Sequence, residues 1–292
     1  MSDRIAFLGC GSMNEAILTG LLRAGMAPAN CVVTVRRAHR AVELAARYPG
    51  VTAIAGEEEP SNNQQAAKGA ALIILGVNPA ETIDLAREIA NSLGPGTVVI
   101  SIAAAVTLAE LQAALPKDQP VVRTLPNTPI KLGHGVISLS PGNGCSPENL
   151  KMVRRIFQGA STIVEVPEEQ IDTVSAISGS GPAYVYYLAE AMAAAGVELG
   201  LAPELAGILA RETVAGAGLT LTEPGANASA MLRDMARPEN ITACAIAVFD
   251  QEGIPATITE GARAAVGRAA AMTVEIAQQK QPPLQAIPHP LQ

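Results

Sequence analysis

Ile5-Ala6-Phe7-Leu8-Gly9-Cys10-Gly11-Ser12-Met13-Asn14 is the stretch whose reading decides the fold. Four continuously apolar residues run into two glycines one residue apart, and a segment of helical period follows over 15–24. An unbroken apolar run of this kind is expected of a strand covered on both faces, as in the middle of a parallel sheet. Gly9 permits a tight turn, Gly11 lets the backbone approach a pyrophosphate, and the helix start offers free N–H groups and a positive dipole end. Asn14 stands where the fingerprint has its third glycine. The motif is therefore GxGxxN, and its weight comes from its place between strand and helix.

The same alternation extends outward. Short β-rich runs at 4–8, 31–35, 71–75, 97–101, 120–124, 135–140 and 162–166 are separated by Ala- and Leu-rich helical segments, which predicts parallel βαβ units in an open doubly wound sheet. After Pro167 the strand signals stop. The chain then reads as helices over 168–199, 202–221, 227–235, 238–252 and 258–279, punctuated by Pro203, Pro238, Pro255, Gly200 and the run Glu223-Pro224-Gly225. The fold class is thus α/β, with a doubly wound sheet over 1–165, an all-α domain over 166–279 and a Pro-rich tail over 280–292. Helices so rich in Ala and Gly, apolar on several faces, predict burial of one face against another subunit and hence a homo-oligomer.

Composition narrows the partners. Hydrophobic residues make up 49% of the 292, enough for two real cores, whereas aromatics are 2% and Trp is absent, so packing falls to Ala, Val, Leu and Ile. A net charge of -7 and a pI near 5.1 argue against nucleic acid or an anionic membrane, both of which call for clustered Lys and Arg. Cys10, Cys31, Cys145 and Cys244 lack metal-ligand or disulfide spacing. No metal is expected. The apolar start is too short for a secretory signal and no apolar run spans a bilayer, so the cytoplasm is the expected compartment.

The end of the second strand selects the nicotinamide cofactor. An acid there holds a free ribose 2′-OH, and a base accepts a 2′-phosphate. The residues are Thr34-Val35-Arg36-Arg37, with Arg40 close behind and no acid before Glu43, which predicts NADP(H). A solvated basic loop is the competing reading.

Three further segments fall at the carboxyl ends of predicted strands, where ligands gather in such sheets: Val77-Asn78-Pro79, Ser101-Ile102-Ala103-Ala104 and Arg123-Thr124-Leu125-Pro126-Asn127-Thr128-Pro129. Together with Ser178-Gly179-Ser180-Gly181-Pro182-Ala183-Tyr184 and the opening motif, this set closely resembles the pyrroline-5-carboxylate reductase family, over about 4–276. The resemblance implies a Rossmann domain followed by a helical dimerisation domain, an interlocked homodimer that in the family is often built into rings of dimers, and NADPH-dependent reduction of Δ1-pyrroline-5-carboxylate to proline, the final step of proline biosynthesis. It also implies cofactor contacts at Leu8, Gly9, Cys10, Gly11, Ser12, Met13, Arg36, Arg37, Asn63, Val77, Asn78, Pro79, Ala103 and Ala104. Thr242 matches the family threonine whose hydroxyl meets the substrate ring nitrogen. By the same resemblance Ser178 and Gly179 are expected at the floor of the active site, at the dimer interface. On residue grounds alone, SGSGP also reads as close helix packing and RTLPNTP as a strand with a Pro-defined turn.

Such a reaction asks little of acid–base groups, because a protonated imine carbon is already electrophilic. His39, His134 and His289 are accordingly not expected to be catalytic. N–H groups at the start of the helix predicted from Pro238 are expected to hold the substrate carboxylate. The loop before Thr242 departs from the family, however. It reads Ala236-Arg237-Pro238-Glu239-Asn240-Ile241, where the family has small hydroxyl residues and two glycines around the proline. Arg237 is a candidate for pairing with the substrate carboxylate, and Asn240 and Ile241 join it as candidate substrate contacts. Asn78, where the family commonly has Lys, and Ala105, where it usually has Gly, are smaller departures. A different cyclic imine, six-membered or sulfur-containing, is the alternative substrate class. A non-catalytic nucleotide-binding paralogue is the alternative of another kind.

Overall fold

The computed structural model describes residues 4–279; the Pro-rich tail expected over 280–292 lies outside the described residues. Eight strands form one sheet: β1 (Ile5–Leu8), β2 (Cys31–Val35), β3 (Thr52–Ala55), β4 (Leu72–Leu75), β5 (Val98–Ser101), β6 (Val121–Pro126), β7 (Gly135–Pro141) and β8 (Ser161–Glu165). Their order is β3-β2-β1-β4-β5-β6-β7-β8. The chain therefore leaves β1 in one direction to build β2 and β3, and in the other to build β4 onward. The point where the order reverses lies between β1 and β4, paired in parallel from Ile5↔Leu72 to Leu8↔Leu75.

Alternate residues of each central strand feed opposite faces. Ile5 and Phe7 of β1 join one core cluster with Val33, Ile74 and Ile100, while Ala6 and Leu8 join the other with Ile73, Leu75 and Val99. Every residue of β1, β4 and β5 is buried, which is why those strands carry no polar alternation. The first face is covered by α1 (Ser12–Arg23), α2 (Ala38–Arg47) and α6 (Pro147–Phe157) through Ile17, Leu18, Leu21, Leu44 and Phe157. The second is covered by α3 (Asn62–Ala67), α4 (Pro79–Ile89) and α5 (Leu108–Ala114) through Ala66, Ile83, Ile89 and Leu111. Burying one such aliphatic side chain contributes roughly 1.5–3 kcal/mol.

The structure corrects the sequence reading in several places. β3, Thr-Ala-Ile-Ala, escapes the strand pattern because it is a short edge strand with only its last residue fully buried. β7 runs antiparallel to β6, not parallel as the βαβ pattern suggested. Only a 3-10 turn over Thr128–Leu132 connects the two, far short of the dozen or more residues that a parallel crossover needs. The helix expected over 168–199 is broken into a 3-10 turn (Glu168–Gln170), α7 (Ile171–Val174), a π-helical turn (Ser175–Gly179) and α8 (Gly181–Glu198). Pro182, in the first turn of α8, has no N–H to carry the earlier ladder onward. The remaining helices are α9 (Pro203–Thr220), α10 (Ala228–Met235), α11 (Ile241–Gln251) and α12 (Ile254–Gln279).

Among the described residues two compact units result, one of residues 4–179 together with 266–279, the other of residues 180–265. In the second unit α8 and α9 pack through small residues: Ala206 and Ala210 are buried, and a Cβ on Gly196 would come within 3.1 Å of Ala206 Cβ. Much of its apolar surface faces outward, with Tyr186 64% and Tyr187 75% exposed. Among the described residues no helix is long and apolar enough to cross a membrane.

In the first unit, α1 lies so close to the 3-10 turn after β6 that a Cβ on Gly20 would stand 2.4 Å from the Ile130 carbonyl oxygen. Helix propensity alone favours Gly20→Ala by about 1 kcal/mol, whereas overpacking costs roughly 1–3 kcal/mol. The clash outweighs propensity, so the variant is expected to unfold at lower urea concentration than wild type. A raised midpoint would show that the helix and the turn do not pack this way.

Candidate active site

The turn from β1 into α1 is held from three sides. Gly9 has φ +78°, and a Cβ there would lie 2.5 Å from Val77 Cγ1, so both backbone conformation and space demand glycine. Its N–H donates to Thr34 Oγ1 at 3.0 Å and the Cys10 N–H to the Thr34 carbonyl at 2.7 Å. Thr34 Oγ1 in turn donates to Asn63 Oδ1 at 2.7 Å, and Asn63 Nδ2 to the Glu88 carboxylate at 3.2 Å. Asn14 is buried beneath the turn and donates to the carbonyls of Gly9 at 3.2 Å and Ile74 at 3.4 Å. It tightens the contact between helix and sheet by hydrogen bonding instead of by being small. Gly76 on the facing strand end gives it room, since a Cβ there would sit 2.1 Å from Asn14 Nδ2.

Gly11 is the N-cap of α1 and no side chain caps the helix. The N–H groups of Ser12, Met13 and Asn14 therefore have no helical carbonyl to meet. A Cβ on Gly11 would find nothing within 4 Å, so the space before these amides is open. This cradle fits a dinucleotide pyrophosphate. Glu15, one residue on, would oppose an anion if it were free. Instead, it accepts from Arg40 Nη2, from Arg47 Nη1 at 2.6 Å and from the Tyr48 hydroxyl at 3.1 Å. Burial raises its proton affinity, and these bonds outweigh that to hold its carboxyl below the ordinary range. Cys10 is buried in the turn, where desolvation and then the charge of Glu15 push its thiol up to about 12.

The expected cofactor positions are gathered at the carboxyl ends of four adjacent strands. Leu8, Gly9, Cys10, Gly11, Ser12 and Met13 follow β1; Arg36 and Arg37 follow β2; Val77, Asn78 and Pro79 follow β4; Ala103 and Ala104 follow β5. Asn63 is tied to them through Thr34. Arg36 and Arg37 are exposed and make no ion pair among the described residues. Arg40, counted with them from sequence, is committed to Glu15 and Glu43. Ala105 has φ +63°, which explains why a glycine suits this position. Thr34 and Glu88 carried no signal in the sequence, because a strand threonine and a helix glutamate look like ordinary occupants of those elements.

RTLPNTP meets the segment 168–178 within the first unit. Arg123, with a side chain 5% exposed, donates to Glu168 Oε1 at 3.1 Å and Asp172 Oδ1 at 3.3 Å. Asn127 Nδ2 donates to the Ser178 carbonyl at 3.0 Å, while its Oδ1 accepts from the Val136 N–H at 2.8 Å. Ser178 and Gly179 lie in the π-helical turn, so β6 anchors the segment in which that turn forms.

In the second unit Arg237, Glu239, Asn240, Ile241 and Thr242 lie in the loop between α10 and α11 and in the first turn of α11. The helix expected from Pro238 starts at Ile241, because Asn240 caps it: Asn240 Oδ1 accepts from the Thr242 N–H at 2.9 Å and the Ala243 N–H at 3.3 Å. These amides, expected to hold a substrate carboxylate, are already bonded to the chain's own side chain. Glu239 has φ +79°, a conformation suited to the glycine it replaces. Arg237 is exposed, with Asp234 3.9 Å away. Thr242 is half-buried and its hydroxyl makes no hydrogen bond among the described residues.

A reversing sheet order with an uncapped amide cradle at the reversal defines a dinucleotide-binding protein of the doubly wound α/β class. The family model described as NADP oxidoreductase, coenzyme F420-dependent, matches residues 4–105, and that described as pyrroline-5-carboxylate reductase dimerisation matches residues 168–272. The pyrroline-5-carboxylate reductase of Mycobacterium tuberculosis is 33% identical over 288 residues, covering 91% of this chain and 95% of that protein. That of Escherichia coli is 33% identical over 261 residues, covering 89% and 94%. The structure of a pyrroline-5-carboxylate reductase from Coxiella burnetii matches with a TM-score of 0.84 at 28% identity, over 93% of this chain and 98% of that one. The chain belongs to the pyrroline-5-carboxylate reductase family and is an NAD(P)-dependent oxidoreductase.

Two outcomes follow from this geometry. Because the folded Glu15 carboxyl is depressed below its ordinary value near 4.5, its bonds stabilise fully above that value and are lost as pH falls through the folded value. The stability gap between wild type and Glu15→Gln is thus expected to be widest at neutral pH and to close in acid below 4.5; a gap that widens in acid contradicts the assignment. Glu239→Gly is expected to stabilise by roughly 0.5–1 kcal/mol in denaturant titrations at fixed protein concentration, as relief of left-handed strain exceeds the added chain entropy. A loss of stability would show that Glu239 is not strained.

Proposed function

We propose that this protein reduces Δ1-pyrroline-5-carboxylate to proline with NADPH, the last step of proline biosynthesis. Residues 1–165 are assigned to NADP binding and 166–279 to dimerisation and substrate binding. The observation that carries the reading is Thr242, a hydroxyl without a hydrogen-bond partner among the described residues in the first turn of α11, in a chain whose β1–α1 cradle is shaped for pyrophosphate. The amides of Ser12, Met13 and Asn14 and the guanidinium groups of Arg36 and Arg37 hold the phosphates, with Val77, Asn78, Pro79, Ala103 and Ala104 beside the dinucleotide. When bound, the cofactor supplies a hydride. Thr242 bonds the ring nitrogen and so fixes which carbon receives that hydride, while the electron pair of the C=N bond passes to the nitrogen, which keeps its proton. Ser178 and Gly179 form the floor beneath the ring, and Arg237, Asn240 and Ile241 meet the carboxylate end. No histidine is needed.

The protein is assigned as a homodimer through the outward apolar face of its helical unit, with further assembly into a ring of dimers, in the cytoplasm. A large exposed apolar surface of this kind supports association.

A second reading, reduction of a six-membered or sulfur-containing cyclic imino acid, rests on the altered loop before Thr242. Asn240 fills the amides that would otherwise bind a carboxylate, so recognition of that end differs from a glycine-lined loop. NADPH oxidation with pyrroline-5-carboxylate, piperideine carboxylates and thiazoline carboxylates distinguishes the two. The first substrate is expected to have the highest kcat/KM, and turnover of the others alone would transfer the assignment. Thr242→Ala is expected to lower kcat/KM by roughly one to two orders of magnitude, about the worth of a hydrogen bond to a charged group. An unchanged value removes Thr242 from the mechanism.

A further inference from the structure

We infer that Glu57 sets how strongly the adenosine end of the cofactor site discriminates in favour of a 2′-phosphate; this rests on the NADPH reading above. In a doubly wound sheet the ribose 2′ position lies at the carboxyl end of the second strand, where an acid receives the hydroxyl and a base the phosphate. Along the chain that end is wholly basic, and the next acid, Glu43, is bonded to Arg40 and Arg47. The fold brings a different acid to it from the neighbouring strand.

β3 pairs with β2 as far as Val35↔Ala55. Beyond that pair the two chains stay together: the Gly56 N–H donates to the Val35 carbonyl at 2.8 Å and the Glu57 N–H to the Arg36 carbonyl at 3.1 Å. The Glu57 side chain then turns onto the start of α2, where its Oε2 accepts from the Ala38 N–H at 2.9 Å. Ala38 directly follows Arg36 and Arg37. An exposed carboxylate thus occupies the first amide of a ten-residue helix at the place where the 2′ substituent is read. Glu57 makes no ion pair among the described residues, so its charge is not cancelled by either neighbouring arginine.

The consequence is a graded preference. A 2′-phosphate, with a charge of about -2, is drawn by Arg36 and Arg37 but meets a fixed negative charge and must displace it from the Ala38 amide. A 2′-hydroxyl meets an acceptor instead. Glu57 therefore narrows the selectivity that the arginines create.

Calorimetric titration of the full chain with 2′,5′-ADP and with 5′-ADP tests this without catalysis. Glu57→Gln is expected to tighten 2′,5′-ADP about tenfold at low salt, the effect of removing one charge close to a doubly charged group in a wet site, and to leave 5′-ADP unchanged or weaker. That gain should shrink as salt rises. Glu58→Gln removes the same charge from the exposed neighbour and is expected to move neither ligand, whereas Arg36→Ala should weaken 2′,5′-ADP. Equal effects of the two glutamate variants, or no effect of Glu57→Gln while wild type still binds 2′,5′-ADP, overturn the inference and leave the NADPH reading standing. Failure of wild type and all variants to bind either ligand overturns both.

Discussion

Between Leu8 and Ser12 the backbone leaves a buried strand and enters a helix through a gap that admits no side chain at Gly9, and residues from β2, α1 and the segment after β4 close around that passage. Val77 closes one side, Thr34 pins the turning amide from another, and Asn14 ties the carbonyls beneath it. Because β1 is also where the strand order reverses, the same few residues set the path of the chain in both directions. The three amides that emerge are uncapped as a result of the turn itself, since a capping side chain at Gly11 would occupy the space that a phosphate requires. The carboxylate of Glu15, which when free would oppose an anion there, is engaged by two arginines and a tyrosine from α2 and the residue after it.

The strand-to-helix alternation made the sheet legible, because fully covered strands have no choice but to be apolar. What escaped the sequence were features decided by pairing in space. β3 is too short and too exposed to leave a pattern, and the reversal of β7 depends on how little chain separates it from β6. The π-helical turn at 175–179 interrupts a segment whose apolar spacing reads as one continuous helix. In the site, glycines, arginines and Thr242 could be singled out by type. Partners such as Thr34, Glu88 and Glu57 could not, since each acts through a neighbour distant in sequence. Arg40 illustrates the converse: it follows the right strand end closely in sequence, but Glu15 and Glu43 already claim its guanidinium.

The loop before α11 separates two roles that glycine can fill. At position 239 the backbone still takes the left-handed conformation despite carrying a glutamate, so the geometric demand persists after the residue that met it most easily is gone. At position 240 the backbone is extended, and the asparagine uses its side chain to satisfy the helix start. One substitution costs strain, and the other replaces open amides with an internal bond. Both positions lie within three residues of Thr242, at the start of α11.

The thiol of Cys10 is buried in the turn between β1 and α1. Burial and then the charge of Glu15 push its proton affinity up to about 12, which disfavours the thiolate at neutral pH. Burial thus keeps in its protonated form the thiol that lies nearest the open amides of the turn.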